Sequence, residues 1–457
     1  MLRTLNAQPT LWETILPEAC LSLPKELAAV DKLLDDEAFF DPYRQFFHNS
    51  LGRPSIPIET YLRLMFLKFR YRLGFEALCR EVTDSISWQR FCRIPLGTAA
   101  PHPTTLMKIT TRCGTNAIDE LNKTLLAKAN EAKVLKTNKV RADTTVIEAN
   151  VAYPTDSGLL AKGVAKMAKL TKKLKARGLA TRTRTKDRTR SVRSRARDIA
   201  ANLRRRTDQA KEEVKEINGD LARVGEQAVC EARNVIRNAR RKLRHAGHSA
   251  KAKAEIDELE QTADAAEQIA DQTRQRVAGA TPDGSSRRVS LHDGDARPIV
   301  KGRLGKPVEF GYKGQVLDNE DGVIVDHNVE IGNPPDAPML PAAIKRVKHR
   351  TGKAPKAVTA DRGYGEVGID DELTTIGVKT VVIPRRGKPN ADRRIVQKKR
   401  SFQKLVKWRT GSEGRINCLK RDFGWSRTRI DGIEGARTWC GHGVFNHNLV
   451  KIAVLMQ

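Results

Sequence analysis

From Thr10 to about Asn130 apolar residues recur at helical spacing. Ile58, Leu62, Phe66 and Phe69 form one series, and Phe75, Leu78, Cys79 and Val82 another. Steps of three and four residues predict a small all-helical domain. Thr10 with Glu13 fits a capping box, and Pro57 stands where the first turn of the helix carrying Tyr61 to Arg70 would begin. The short connections Tyr71 to Gly74 and Asp84 to Ser87 are compatible with a helix-turn-helix, and equally with any three-helix bundle.

The pattern changes at Lys139, where KVRADTTVIEANVAY alternates and is rich in β-branched residues, as a strand requires. Strand character returns much later, in PVEFGYKGQVLDNEDGVIVDHNVEIG, where Asn319 to Gly322 supply the turn of a hairpin. A helix from about Pro338 to Thr351, the strand KAVTAD ending at Asp361, a short helix near Asp370 to Ile376 and the strand VKTVVIP follow. Strands alternating with helices imply an α/β sheet.

Between the two strand regions, about Ser157 to Gly279 contain almost no aromatic residue and no Pro. Leu159 to Arg206 hold 18 Lys and Arg against Asp187 and Asp198, a net +16 that includes Arg182, Arg184, Arg204, Arg205 and Arg206. From Asp208 to Ala278 the composition of Ala, Glu, Lys, Arg and Leu predicts long helices in a hairpin or coiled coil. A charged solvated helix needs no partner, but a +16 block favours an arm that follows a DNA backbone, either preformed or ordered only on binding.

The whole chain carries 84 Lys and Arg against 54 Asp and Glu, a net charge of +30, which points to a polyanionic partner. Its seven cysteines are scattered without a Cys-x-x-Cys pair, as suits a reducing compartment. The first twenty residues lack a signal-peptide pattern and no run of about 18 apolar residues occurs, so a cytoplasmic protein without a membrane span is expected. Cys440, His442 and His447 are vaguely spaced like zinc ligands but lack an evident fourth. The glycines of GRLGKPVEFGYKG lack the strand-to-helix context of a nucleotide loop.

Three acids stand out against this background. Asp143 interrupts an otherwise apolar strand, where an unpaired carboxylate is costly. Asp361 ends a strand and enters the turn RGYG, the end of an α/β sheet where functional side chains gather. Glu413 lies in the basic segment KWRTGSEGRINCLKRDFG, and a helix there would put Arg409, Glu413 and Lys420, spaced by four and then seven, on one face. Each has a structural alternative: Asp143 capping a turn, Asp361 starting one, Glu413 pairing with Arg409. Taken together they suit phosphoryl transfer, which uses two divalent cations about 4 Å apart, held by few carboxylates and the substrate phosphate.

ADTTVIEANVAY, TADRGYG and the spacing of Arg409, Glu413 and Lys420 resemble the DDE transposases of bacterial insertion sequences, which have a ribonuclease H-like core. IPIETYLRLMFLKFRYRLGFEALCREVTDS is similar to the helical N-terminal domain of the same family. The family's Tyr in the glutamate helix is Val406 here, with Trp408 nearby, and only 52 residues separate Asp361 from Glu413, so the long insertion follows the first Asp instead of the second. The resemblance implies a multidomain α+β and α/β protein. Its parts would be a helical DNA-binding domain (1–130), a ribonuclease H-like catalytic domain with a mixed sheet and flanking helices (138–156 and 280–457), and a helical, coiled-coil-like basic insertion (157–279). It further implies Mg²⁺ or Mn²⁺ held by Asp143, Asp361 and Glu413, phosphate contacts from Arg409 and Lys420, and action on double-stranded transposon ends and target by a homodimer or larger assembly. A nuclease of the same fold without strand transfer, or a non-catalytic DNA-binding protein, are the alternatives.

Overall fold

The computed structural model describes residues 15–457 apart from 49–50, 53, 247–248, 302–304 and 306, so the expected capping box at Thr10 and Glu13 lies outside the described residues. Helices α1 (Glu18–Leu21), α2 (Lys25–Leu34), α3 (Asp41–Arg44), α4 (Ile58–Arg70), α5 (Phe75–Asp84), α6 (Ile86–Phe91) and α7 (Pro103–Glu131) precede strand β1 (Lys139–Glu148). Then come α8 (Asp156–Ala176), α9 (Thr189–Asn202), α10 (Asp208–Ala246), α11 (Ala250–Val277), β2 (Arg297–Val300), β3 (Val308–Asn319) and β4 (Ile324–Ile331). The chain continues through α12 (Met339–Thr351), β5 (Ala357–Ala360), α13 (Ile369–Ile376), β6 (Thr380–Val382), α14 (Ala391–Lys398), α15 (Arg400–Arg409), α16 (Gly411–Asp422) and α17 (Gly432–Leu455).

Two compact units result. One joins the described residues up to Glu148 with Lys313–Glu330 and Pro334–Gln457; the other is Ala149–Tyr312 with Ile331–Asn333. In the first, the helical series read from the sequence becomes α4 and α5, with Pro57 as the N-cap of α4. Every residue of α4 from Ile58 to Phe69 is buried, so this helix is a central strut and not an amphipathic surface element. Its one fully buried guanidinium, Arg63, is held by Asp31 and Asp35, each at 2.6 Å.

Within this unit β3, β1, β5 and β6 lie side by side in that order, with β4 on the far side of β3. The expected hairpin closes over Asn319, whose Oδ1 accepts from the amides of Asp321 and Val323. β1 and β5 run parallel, with Lys139 opposite Ala357 and Ala142 opposite Ala360, and β5 and β6 are parallel as well. α17, the long closing helix, is tied to β4 by Asn448, which accepts from Ile324 N (2.9 Å) and donates to Ile324 O (2.8 Å).

A buried ionic knot fixes the sheet to the segment that carries Glu413. Asp318 of β3, 1% exposed, receives both arms of Arg141 from β1 (2.9 and 2.7 Å) and lies 3.4 Å from Arg415 of α16. Arg141 also donates to the carbonyl of Trp408 (2.8 Å) at the end of α15 and stacks over its ring. A side chain at position 411 would collide with that guanidinium, since a Cβ there would stand 2.3 Å from Arg141 Nη1, so Gly411 is what lets α16 begin here. Arg415 in turn donates to His447 Nε2 (2.9 Å), and burial together with this cation holds the imidazole down to about 3.

In the second unit α8, α9, α10 and α11 pack around an apolar interior that includes Leu160, Leu174, Val192, Leu221, Leu259 and Ile269. Alanines 222, 232, 239, 263, 266 and 270 share this interior and allow close helix approach. β2 pairs antiparallel with the opening of β3, Arg297 opposite Gly311. The +16 block, expected as an arm that could be ordered only on binding, is therefore half of a folded bundle: α8 and α9 contribute core residues, and several of its cations meet acids of the later helices. Arg177 pairs with Glu255 (2.6 Å) and Arg188 with Glu231 (2.8 Å).

Removing the carboxylate at the centre of the ionic knot leaves two guanidiniums without their shared partner in a site closed to water. Asp318→Ala is expected to destabilise the first unit by about 3–5 kcal/mol, measured as a fall in the denaturant midpoint. A change below about 1 kcal/mol would mean that the knot does not hold the sheet to α16.

Candidate active site

The parallel register of β1 and β5 ends at the pair Ala142 and Ala360, so Asp143, midway along β1, and Asp361, the residue after β5, follow that pair on neighbouring strands. Asp143 is 9% exposed; its Oδ1 accepts from the amide of Thr144 (2.8 Å). Asp361 follows β5 directly and caps a short 3₁₀ turn, accepting from Gly363 N (2.8 Å). Glu413 lies exposed in the first turn of α16, without a described ion-pair partner.

Arg409 and Lys420 do not share one helix. The chain turns at Thr410, which ends α15 and begins α16, so Arg409 closes one helix and Lys420 lies half-buried in the last turn of the next. Arg409 points its guanidinium at Asp143 instead of Glu413, with Nη1 3.6 Å from Asp143 Oδ2.

Charge crowding is visible in Asp143, whose carboxyl is pushed up to about 6. Burial is the main cause, and the nearby Asp361 and Glu413 raise it further, while the Thr144 amide and Arg409 oppose the rise. The three acids picked out from the sequence are thus in electrostatic reach of one another. The buried hydroxyl of Tyr364, which accepts from Gln315 Nε2 (3.2 Å), is raised far above its usual range, by burial and by Asp336, Asp143 and Asp361.

Two groups missed in the sequence reading border this cluster. Asp336 Oδ1 accepts from Thr144 Oγ1 (3.0 Å) and pairs with the buried Lys313 at 2.6 Å. A Cβ at position 363 would lie 2.9 Å from Asp336 Oδ2 and 3.0 Å from Asp361 Oδ1, which gives Gly363 a steric reason and shows how near the two acids come. Lys313 could have been noticed by the argument that found Asp143, a charge inside an otherwise buried strand; Asp336 lies in the loop segment NPPDAP, which carries no periodic signal.

The donors are all hard carboxylate oxygens, the chemistry that Mg²⁺ or Mn²⁺ prefers. Among the described residues no three such side chains stand close enough to clasp an ion together. Arg409 supplies positive charge to Asp143.

The other singled-out residues belong to different elements. Arg182 and Arg184 are exposed in the loop between α8 and α9, and Arg204, Arg205 and Arg206 in the turn between α9 and α10, where Arg205 reaches Glu213 at a loose 3.8 Å. Cys440, His442 and His447 are buried along α17, His442 stacked on Phe69 and His447 bound to Arg415. No described helix is long and apolar enough to cross a membrane.

The folded chain protonates Asp143 near pH 6 and an ordinary Asp titrates near 3.8, so the protonated form contributes stability that is complete below pH 4 and lost as pH rises through 6. In chelator-containing buffer Asp143→Asn should therefore be more stable than the parent at pH 7.5, on the order of 1–3 kcal/mol, with the gap closing by pH 4. A variant less stable at both pH values would show that the carboxylate is not strained by its surroundings.

Comparison with known families adds the remaining evidence. A family model described as Transposase domain (DUF772) matches residues 17–112, and one described as Transposase DDE domain matches residues 264–449; together they take in more than half of the chain. The second match contains Asp361, Glu413, Arg409 and Lys420, is consistent with a ribonuclease H-like core, and leaves Asp143 to be placed by the sheet register. No curated protein and no solved structure matches the chain. With both family matches in chain order, the chain belongs to the DDE transposases of the insertion-sequence type.

Proposed function

We propose that this transposase binds the terminal inverted repeats of its element, hydrolyses phosphodiesters at the ends and joins the 3′-hydroxyls to target DNA, acting as a homodimer or larger assembly on DNA. The observation that carries the reading is that Asp143 and Asp361 follow the last registered pair of β1 and β5, with the Asp143 carboxyl raised by burial and by its acidic neighbours. Asp143 and Asp361 would hold the divalent cations, Mg²⁺ or Mn²⁺, with Glu413 completing one site. Bound there, the cations would lower the pKa of a water or hydroxyl nucleophile and stabilise the leaving oxygen.

The protein's own residues prepare this chemistry. Burial of Asp143 keeps water from competing for its oxygens, and the Thr144 amide orients them. Lys313 neutralises Asp336, so the fourth acid adds little net charge to the cluster. Arg409 lies against Asp143; a cation taking its place would free the guanidinium for a phosphate of the strand, and Lys420 would take a second phosphate. In this reading 1–130 bind DNA, 138–156 with 280–457 form the catalytic domain, and the exposed arginines of the 157–279 insertion follow the DNA backbone.

Asp143→Asn, Asp361→Asn and Glu413→Gln are each expected to lower metal-dependent cleavage of an end-bearing duplex at least a thousandfold while leaving duplex affinity within about threefold. Near-normal cleavage by any of them removes that residue from the site, and cleavage without joined products in the parent protein would indicate a nuclease.

The bundle arginines are tested without disturbing its core. Replacing Arg182, Arg184, Arg204, Arg205 and Arg206 by Gln should weaken specific and random duplexes by similar factors and flatten the plot of log affinity against log salt by roughly 0.9 for every phosphate that is no longer neutralised. An unchanged slope, or weakening confined to element ends, would contradict backbone tracking.

A further inference from the structure

A cavity of about 440 Å³ opens in the first unit where the end of α4, the start of α5 and the segment from Gly424 to Arg429 meet α17. None of its lining residues belongs to the acid cluster. Lys68 projects into it although the residue is only 4% exposed, with Nζ 4.3 Å from the ring centre of Trp439, 4.6 Å from Phe75 and 5.0 Å from Phe69. Among the described residues no carboxylate or hydrogen-bond acceptor meets this ammonium. Burial and the nearby Arg429 bring it down to about 8.

A buried cation facing only rings and another cation lacks the partner that normally offsets its lost hydration. Cation–π contacts return part of that cost. The rest of the wall has the same sign. Arg72, in the turn after α4, and Arg429 stand exposed at the rim, and Arg427 lines the side with Nη2 2.6 Å from Glu148. The first turn of α5 opens on the same space behind Gly74, which offers no side-chain cap to its amides.

We propose that this cavity binds a phosphate group, with Lys68 at its floor and Arg72, Arg427 and Arg429 around it. Two sources share that chemistry: the 5′-phosphate terminus of a DNA strand, and free phosphate or polyphosphate. The strand end is the source that the transposition reading would supply, and that part rests on it. Glu148, which anchors Arg427, lies five residues along β1 from Asp143, about 17 Å at strand rise, so a strand processed at the acid cluster could reach the cavity within a few nucleotides.

The test measures binding of a fluorescent single-stranded 12-mer, with either a 5′-phosphate or a 5′-hydroxyl, to the full-length protein in chelator, with and without pyrophosphate as competitor. The phosphorylated strand should bind at least tenfold tighter, pyrophosphate should compete, and Lys68→Met should erase the preference without lowering the melting temperature, because methionine suits the aromatic box better than an unpaired ammonium. Arg72→Gln, at the exposed rim, should reduce the preference several-fold and guards against misfolding of the core variant. Pyrophosphate binding that depends on Lys68, with no preference for the phosphorylated strand, would assign the cavity to free phosphate. Equal binding of the two strands together with no pyrophosphate binding, or a preference that survives both substitutions, overturns the proposal. Cleavage of end-bearing duplex by the parent protein is measured alongside: its absence would sink the transposition reading and leave the pocket standing.

Discussion

Much of the first unit depends on one carboxylate taken out of water. Asp318 is only 1% exposed; Arg141 closes on it with two hydrogen bonds and Arg415 approaches to 3.4 Å. Each of these cations has a second duty: Arg141 caps the carbonyl end of α15 through Trp408, and Arg415 reaches the imidazole of His447 on α17. A buried ion pair adds little net stability compared with an apolar replacement, but it is intolerant of displacement. Its value here is positional, since β1, β3, α15, α16 and α17 must all take one arrangement for the charges to be satisfied.

That arrangement places opposing demands on the neighbouring acids. Asp318 is compensated and its environment is settled. Asp143, two residues beyond Arg141 on the same strand, is buried, feels the charges of Asp361 and Glu413, and has a single guanidinium at 3.6 Å. The same strand therefore carries a satisfied charge and an under-compensated one. Lys313 and Thr144 show the contrast again, holding Asp336 in a closed set of contacts beside the open one. Perturbed carboxyls of this kind cluster at functional sites.

The second unit solves a different problem. A segment with so many cations has no apolar surplus to fold by itself, and α9 buries few residues. Folding becomes possible because α10 and α11 bring alanine-lined faces for packing and glutamates that meet Arg177 and Arg188. The cations left over collect in the loop at Arg182 and Arg184 and the turn at Arg204 to Arg206, where backbone geometry leaves them exposed.

The sequence by itself determined the succession of elements: helices to Glu131, a lone strand interrupted by an acid, helices through the basic region, then a hairpin and the strand that leads into Asp361. Periodicity and turn residues are local, and local chemistry was enough to find them, as it was to single out Asp143 by its place in an apolar strand. The pairing of β1 with β5 joins residues more than two hundred positions apart, and only the folded sheet brought Asp143 beside Asp361. The break at Thr410 coincides with Arg141 of β1 donating to the Trp408 carbonyl beside Gly411, a contact with no trace in the helical pattern of that segment. Asp336 entered through a loop without periodicity, and the cationic block proved to be half of a bundle because its partners lie in later helices. In each case the deciding interaction is an electrostatic or steric contact between distant segments, which residue spacing cannot encode.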